Sequence, residues 1–126
     1  MFKLISIYEE INKGLNQATG LYCYAEFPQD AFELPLLVVV EQNNRLSNIA
    51  LDGRVEIADV SYMITIYSEN AEDVYTYQAM IDNYFNTEVK RFVGQLSSVQ
   101  QSYGMYQRTL TYSGTIQRVE DNYYIL

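Results

Sequence analysis

Two stretches of the chain place apolar residues at the spacing of one helical face. The first lies within residues 2–17, and its stripe consists of Leu4, Tyr8, Ile11 and Leu15. The second lies within residues 70–93, where Asn70 is the predicted N-cap. Gly20 and Gly94 suit the left-handed turns that end helices. The pattern therefore predicts two amphipathic helices.

Strand patterns occupy most of the remaining chain. Residues 21–27 are rich in aromatic side chains. Residues 36–41 contain the unbroken apolar run Leu-Leu-Val-Val-Val, which predicts a strand covered on both faces. Residues 55–67 and 105–119 alternate between apolar and polar positions and predict two long strands. Residues 96–103 alternate weakly and predict a further strand, which the next glycine ends in a turn.

A polar segment, residues 42–54, separates the unbroken apolar run from the first long strand. Its Asp52-Gly53 pair predicts a hairpin turn. Early in the long strand the apolar positions fall one residue out of phase with the later ones. A β-bulge near Ala58 and Asp59 would bring both sets to the same face, so we predict one there.

The order of these elements, helix then strands then helix then strands, predicts an α+β fold. We expect a mixed or mainly antiparallel sheet of about four to six strands with two helices packed on one face. The length of 126 residues fits a single domain, residues 1–126. One face of the strand at residues 105–119 is polar but nearly uncharged. Such a face is typical of a surface covered by a neighbour or by ordered solvent.

The charge balance is strongly acidic: 16 Asp and Glu face 8 Lys and Arg, a net charge of -8. Nucleic-acid binding needs cations that displace counterions from phosphates, and Lys90-Arg91 is the only adjacent basic pair. We expect no specific nucleic-acid binding. The alternative that the protein forms an acidic wall, past which DNA slides without binding, is kept. The sequence lacks both an apolar run of ~18 residues and a secretion signal. We therefore expect no membrane partner and a chain made and kept in the cytoplasm.

Residues for catalysis are scarce, since the chain has no histidine and no glycine-rich phosphate loop. The single cysteine, Cys23, fits a small buried hydrophobe better than a reactive thiol. The carboxylate clusters are Glu9-Glu10, Glu69 with Glu72 and Asp73, and Glu120-Asp121. We interpret these clusters as solvated surface charges or helix-terminal charges. We interpret Glu56 and Asp59 as charges at a sheet edge, where they block the addition of another strand. We expect no enzyme activity, no cofactor and no metal.

Tyrosine is unusually frequent, with 13 copies and no tryptophan. Tyr is enriched at the centres of protein interfaces, and it also favours strands. Core and interface roles are therefore both open for these residues. Tyr77 and Tyr84 lie on the second helical stripe and are expected in the core. Tyr103, Tyr123 and Tyr124 are expected at contacts with other proteins.

Several stretches, in order, resemble the tail-terminator (tail-completion) family of long-tailed siphophages. They are the N-terminal helix, Tyr22-Cys23-Tyr24-Ala25-Glu26-Phe27-Pro28, Leu34-Pro35-Leu36-Leu37-Val38-Val39-Val40-Glu41, Ser47-Asn48-Ile49-Ala50-Leu51-Asp52-Gly53-Arg54-Val55, and residues 62–67 followed by Asn70-Ala71-Glu72-Asp73. The stretch Leu34 to Glu41 is similar to the family's Leu-Pro-Tyr-Leu-Val strand. Together they cover roughly residues 1–118 as a pattern.

The resemblance implies a structural protein of the virion, made in the host cytoplasm and placed at the head-proximal end of the tail. Such proteins form a ring, usually of six subunits, that caps the tail tube, ends its polymerisation and docks the head-completion or connector protein. The partners implied are the chain itself, the tail-tube protein and the head-completion protein. A head-closure or connector component is the nearest alternative, and a cytoplasmic ligand-binding regulatory α+β domain is another.

For such a ring we predict subunit or partner contacts on the polar hairpin and on exposed strand faces. The residues are Asn43, Asn44, Arg45, Asn48, Asp52, Arg54, Tyr103, Tyr123 and Tyr124. A cyclic ring joins one patch to a different patch on the next subunit.

Overall fold

The computed structural model describes residues 7–49, 55–120 and 122–126, and the side chains of 46–49 and 55 are not described. The helices in this part of the chain are α1 (Tyr8–Thr19), α2 (Ala71–Tyr84) and a π-helical segment, Phe85–Val89. The strands are β1 (Cys23–Tyr24), β2 (Leu36–Ile49), β3 (Val55–Ser68), β4 (Val93–Leu96), β5 (Gln100–Ser102), β6 (Met105–Val119) and β7 (Asn122–Ile125).

The strands form one mixed sheet in the order β1-β2-β3-β6-β4, and β5 and β7 also pair with β6. Only the β1–β2 pair is parallel among the described strands. On its outer side β6 therefore meets three short strands in turn, β5, β4 and β7. The predicted α+β class is confirmed. Seven strands replace the expected four to six because β4 begins inside the predicted helix and because β7, only four residues long, has no periodic pattern.

The core lies between the helices and one face of the sheet. The helix-facing residues of β2, β3 and β6 are Leu37, Val39, Ala58, Val60, Tyr62, Ile64, Ile66, Leu110, Tyr112 and Ile116. From the helical side come Ile11, Leu15, Val74, Ile81, Phe85 and Val89. The rings of Phe85 and Tyr112 stack with centroids 3.8 Å apart at an interplanar angle of 8°. Tyr77 and Tyr84 pack against this core as predicted.

Three predicted element ends are confirmed. Gly20 follows α1 with φ 76°, and its N–H donates to the Asn16 carbonyl at 2.8 Å. Asn70 caps α2, since its Oδ1 accepts from the backbone N–H of Asp73 at 2.9 Å. The β5–β6 turn has φ 51° at Tyr103 and 75° at Gly104, the positive pair that a tight hairpin turn requires.

The predicted helix over residues 70–93, with Gly94 as its stop, is wrong at its C-terminal end. The α-helix ends at Tyr84, a π-helical turn follows, and Gly94 lies within β4. Lys90 and Arg91 have φ 59° and 58°, so the chain reverses there. The reversal returns Phe92 to the core, where it packs near Phe85 with ring centroids 6.0 Å apart. Phe92 therefore belongs to the apolar stripe without belonging to the helix.

The predicted polar interruption at residues 42–54 is wrong over its first part, because β2 continues to Ile49. The predicted bulge at Ala58 and Asp59 is also wrong. Register shifts occur in β2, between Glu41 and Asn43 and again farther along, whereas β3 pairs with β6 without a break. Because β3 pairs with β6 without a break, the unpaired extra residues of the β2–β3 pair lie in β2. The predicted Asp52-Gly53 turn lies outside the described residues.

Two other predicted strands are shorter than expected. The strand over residues 21–27 reduces to β1, and the strand over residues 96–103 divides into β4 and β5. Residues 36–39 are buried on both faces as predicted, whereas Val40, within the same predicted strand, is 41% exposed. The C-terminal residues dock on the same chain, as β7, and Ile125 packs against the core.

Candidate interaction surfaces

The face of the sheet opposite the helices carries no helix in the described part of the chain. We call it the open face. Its cross-strand pairs from β3 and β6 are Asp59–Thr115, Ser61–Ser113, Met63–Thr111, Thr65–Thr109 and Tyr67–Gln107. The hydroxyls of Thr65 and Thr109 lie 3.0 Å apart and share a hydrogen bond. The polar, nearly uncharged side of residues 105–119 thus faces away from the core.

One end of the open face forms a groove of about 440 Å³, lined by Asn43, Asp59, Ser61, Arg91, Val93, Thr115 and Leu126 among others. Asp59 is held there from both neighbouring strands. Arg45 Nη2 lies 3.5 Å from its Oδ2, and Thr115 Oγ1 donates to its Oδ1 at 3.0 Å. The interpretation of Asp59 and Glu56 as edge charges is wrong, because β3 is an inner strand. Glu56 instead pairs with Arg118 across the β3–β6 ladder.

The outer edge of β2 is a second surface. β1 pairs with β2 only at Leu37 and Val38, and among the described strands none pairs with this side farther along. The Val39 carbonyl accepts a hydrogen bond from the Tyr8 hydroxyl at 2.5 Å. Val40 is 41% exposed. The edge is therefore a strand border with an exposed apolar side chain.

A groove of about 530 Å³ follows this edge. It is lined by Tyr8, Glu9, Glu10, Ala25, Val39, Val40 and Glu41. Glu9 and Glu10 project from the first turn of α1 and are exposed. We call this surface the acidic groove. An extended segment that lay against β2 here would pass beside these carboxylates.

The opposite border of the sheet is β4, which pairs only with β6 in the described sheet. All four of its residues are exposed, and Val93 is 74% exposed. Lys90 and Arg91, just before β4, are also exposed. Within residues 7–49, 55–120 and 122–126, neither basic side chain makes an ion pair or a hydrogen bond. This border is therefore basic and apolar.

The predicted contact residues divide into two groups. Asn43 is exposed at the groove of the open face, and Arg45 is exposed and paired with Asp59 of that groove. Asn44 is half-buried, with its Nδ2 donating to Glu41 Oε1. Tyr123 and Tyr124 are exposed on β7, which pairs with β6 at that same end of the sheet. The side chain of Asn48, and Asp52 and Arg54 altogether, lie outside the described residues.

Tyr103 stands apart from the other predicted contacts. It is 97% exposed in the β5–β6 turn. Its end of β6, at Met105, is separated from Gln117, the partner of Tyr124, by about 40 Å at roughly 3.3 Å per strand residue. One contact surface of ordinary width does not include both ends.

Sequence reasoning missed the two strand borders. Val40 and Val93 are exposed. Val40, however, lies in an apolar run, and Val93 lies at the end of the predicted helix over residues 70–93. An apolar residue at a strand border has the same local pattern as one in the core. The adjacent basic pair Lys90-Arg91 is the one feature of the sequence that indicates the β4 border.

Buried titratable groups serve the core. Burial raises the pKa of Tyr112, and the hydrogen bond that its hydroxyl donates to Asp82 raises it further. Burial also raises the pKa of Cys23 to about 11, so its thiol stays protonated at neutral pH. Cys23 is half-buried and packs against the core, which fits the predicted small hydrophobe.

In the described ranges, no three His, Cys, Asp or Glu side chains are grouped closely enough to hold a metal ion. Neither described helix has the length and apolar character needed to cross a membrane. No family model and no curated protein matches the chain.

Proposed function

We propose that this chain is a structural phage assembly protein of the tail-terminator type. It caps the tail tube as a ring, ends tube polymerisation and docks the tail to the head. The observation that carries the proposal is the sheet itself, whose helix-free face is partly exposed between Asp59 and Thr65 and whose two unlike borders carry the exposed Val40 and Val93. Strand borders and polar sheet faces of this kind are surfaces that bind other proteins.

The open face supports a role in docking another protein. Its β3 and β6 side chains are mostly hydroxyls and amides, and its charged Asp59 is already paired with Arg45. Such a face hydrogen-bonds to a partner without the desolvation cost of unpaired charges. Phe27 packs on its Tyr67 end, and the rest of the face extends from Asp59 to Thr65 of β3, about 20 Å at roughly 3.3 Å per residue.

The net charge of -8 supports a position around a DNA channel. An acidic ring repels the phosphate backbone, so DNA passes without binding. The virion location and the partners, namely the tail-tube protein and the head-completion protein, form part of this proposal.

Tube length tests the proposal. The tail-tube protein of the same phage is polymerised with and without this chain, and tubes are measured in negative-stain images. We expect tubes of limited length with density at one end when the chain is present. Tubes that grow equally long with the chain bound nowhere would contradict the proposal. Binding to head-completion protein, with tube length unchanged, would assign the head-closure role instead.

A matched pair of variants locates the docking surface. Thr111→Lys places a charge on the open face, and Thr76→Lys places the same charge on the exposed side of α2. We expect the first to weaken tube capping and the second to leave it unchanged. Equal capping by both would exclude the open face from docking.

A further inference from the structure

We propose that copies of this chain join edge to edge, with β4 of one copy adding to the outer edge of β2 of the next. The acidic groove beside β2 receives Lys90 and Arg91 of the incoming copy. Sheets of successive copies then form one continuous wall. This inference deepens the proposed function, because it depends on the chain forming a ring.

The borders of the sheet provide the first argument. Strand borders are templates for pairing with another chain, and proteins usually block them with charge or cover them. Here β1 covers Leu37 and Val38 of β2, the Tyr8 hydroxyl bonds the next carbonyl at Val39, and β4 has no strand on its outer side in the described sheet. The two borders lie at opposite ends of the strand order. Each copy therefore offers one of each, which is what a heterologous, ring-closing contact requires.

Strand direction provides the second argument. β2 is antiparallel to β3, β3 to β6, and β6 to β4. It follows that β2 and β4 run in opposite directions within one copy. In a ring, rotation about the axis keeps the strands of every copy at the same inclination to that axis. In such a ring, β4 of one copy would lie antiparallel to β2 of the next. The joint would then repeat the pairing found between the long strands.

Charge complementarity provides the third argument. Glu9 and Glu10 are exposed in the acidic groove. Lys90 and Arg91 are the only adjacent basic pair of a chain with net charge -8, and in the described residues their side chains have no partner. Opposite charges at the two borders attract unlike borders, whereas two β2 borders repel each other. The charges therefore favour the joint between β4 and β2 over a joint between two β2 borders or two β4 borders.

Apolar contact provides the fourth argument. Val40 pairs across to Met63, which pairs with Thr111 on the open face. Gln95 also pairs with Thr111, so Val93, two residues away, lies on the same face as Val40. Both valines are exposed in the single chain. Joining the borders with the helices on one side places them on a shared face, where they can be buried together.

Charge reversal tests the joint. Lys90→Glu/Arg91→Glu makes both borders acidic, and Glu9→Lys/Glu10→Lys makes both basic. We expect each variant alone to need at least about tenfold more protein to assemble than wild type at low salt. Mixing the two in equal amounts restores opposite charges at every joint, so assembly should return. Mass is followed by light scattering after size-exclusion chromatography.

The control is Glu69→Lys/Glu72→Lys, which reverses two exposed glutamates away from both borders. It should assemble like wild type, and circular dichroism confirms the fold of every variant. Wild-type assembly by either reversed variant alone would overturn the inference. So would folded variants that stay apart when mixed, or a wild-type chain that is monomeric at every concentration.

Tube capping separates this inference from the proposed function. Capping by rings that tolerate both reversals would refute the edge joint and keep the tail-terminator role. Rings that respond to charge reversal as expected, yet leave tube length unchanged, would keep the edge joint and refute that role.

Discussion

Gly114→Ala tests the packing of β6 against the turn that leads into β4. A Cβ at position 114 would lie 2.3 Å from Phe92 Cδ1, 2.4 Å from Cε1 and 2.9 Å from Cγ. Because Cγ is attached close to the backbone, rotating the tip of the ring does not relieve the clash. The Phe92 ring also lies between Tyr62 and Phe85, with centroid distances of 6.5 Å and 6.0 Å. The ring must therefore move as a unit and lose contacts.

The expected cost follows from two opposing effects. Overpacking a core costs about 1–3 kcal/mol, and replacing a strand glycine returns about 0.5–1 kcal/mol. The net destabilisation is about 0–2.5 kcal/mol. For 126 residues, an unfolding entropy of ~2.1 cal/mol/K per residue makes this a fall in Tm of up to about 9 °C.

Urea unfolding followed by far-ultraviolet circular dichroism measures the change. In a Phe92→Ala background the clash is absent, so Gly114→Ala should be neutral or stabilising by up to about 1 kcal/mol. A Gly114→Ala change that stabilises the wild type would refute the reasoning. Equal destabilisation in both backgrounds would also refute it.

Three further changes follow from individual contacts. Asn70→Ala removes the cap of α2 and should cost about 1 kcal/mol in urea unfolding, whereas Asn70→Asp should retain most of the stability. Arg118→Met leaves buried Glu56 without its partner and should cost about 3–5 kcal/mol, while adding Glu56→Leu should recover most of it; equal stability of Arg118→Met and wild type would contradict this. Cys23 has its pKa raised from 9.0 to about 11, so the stability it contributes is complete below pH 9 and is lost as pH rises toward 11. Its thiol should react with iodoacetamide at pH 8 far more slowly in the folded than in the urea-unfolded chain, and equal rates would exclude the burial.

The strand β6 shows what could be predicted from sequence. Its observed bounds, Met105–Val119, equal the predicted ones because alternation is sustained and a glycine turn precedes it. The start of α2 was predictable for a similar reason, since Asn70 and the acidic first turn are local signals. Both elements are fixed by residues close in sequence.

The end of α2 could not be predicted, because Phe85, Val89 and Phe92 keep helical spacing. Only the positive φ values at Lys90 and Arg91 reveal the reversal. Both are charged residues with no special preference for that conformation.

The polar half of β2 depends on tertiary structure. Asn is a poor strand former, and residues 42–49 become a strand through pairing with β3. The exposure of the two sheet borders could not be predicted for the same reason, since the order of the strands decides whether Val40 and Val93 are covered. Asn43, Arg45, Tyr123 and Tyr124 are exposed, as a contact residue must be, and their role in contacts stays a prediction.

The size and shape of the purified chain test most directly whether it acts by joining copies into a ring. Light scattering and negative-stain images of the wild-type protein at low salt provide both. We predict a single species several times the 14.6 kDa of one chain, seen as rings with an open centre. A 14.6 kDa monomer at every concentration, or a compact dimer without a central opening, would contradict the account.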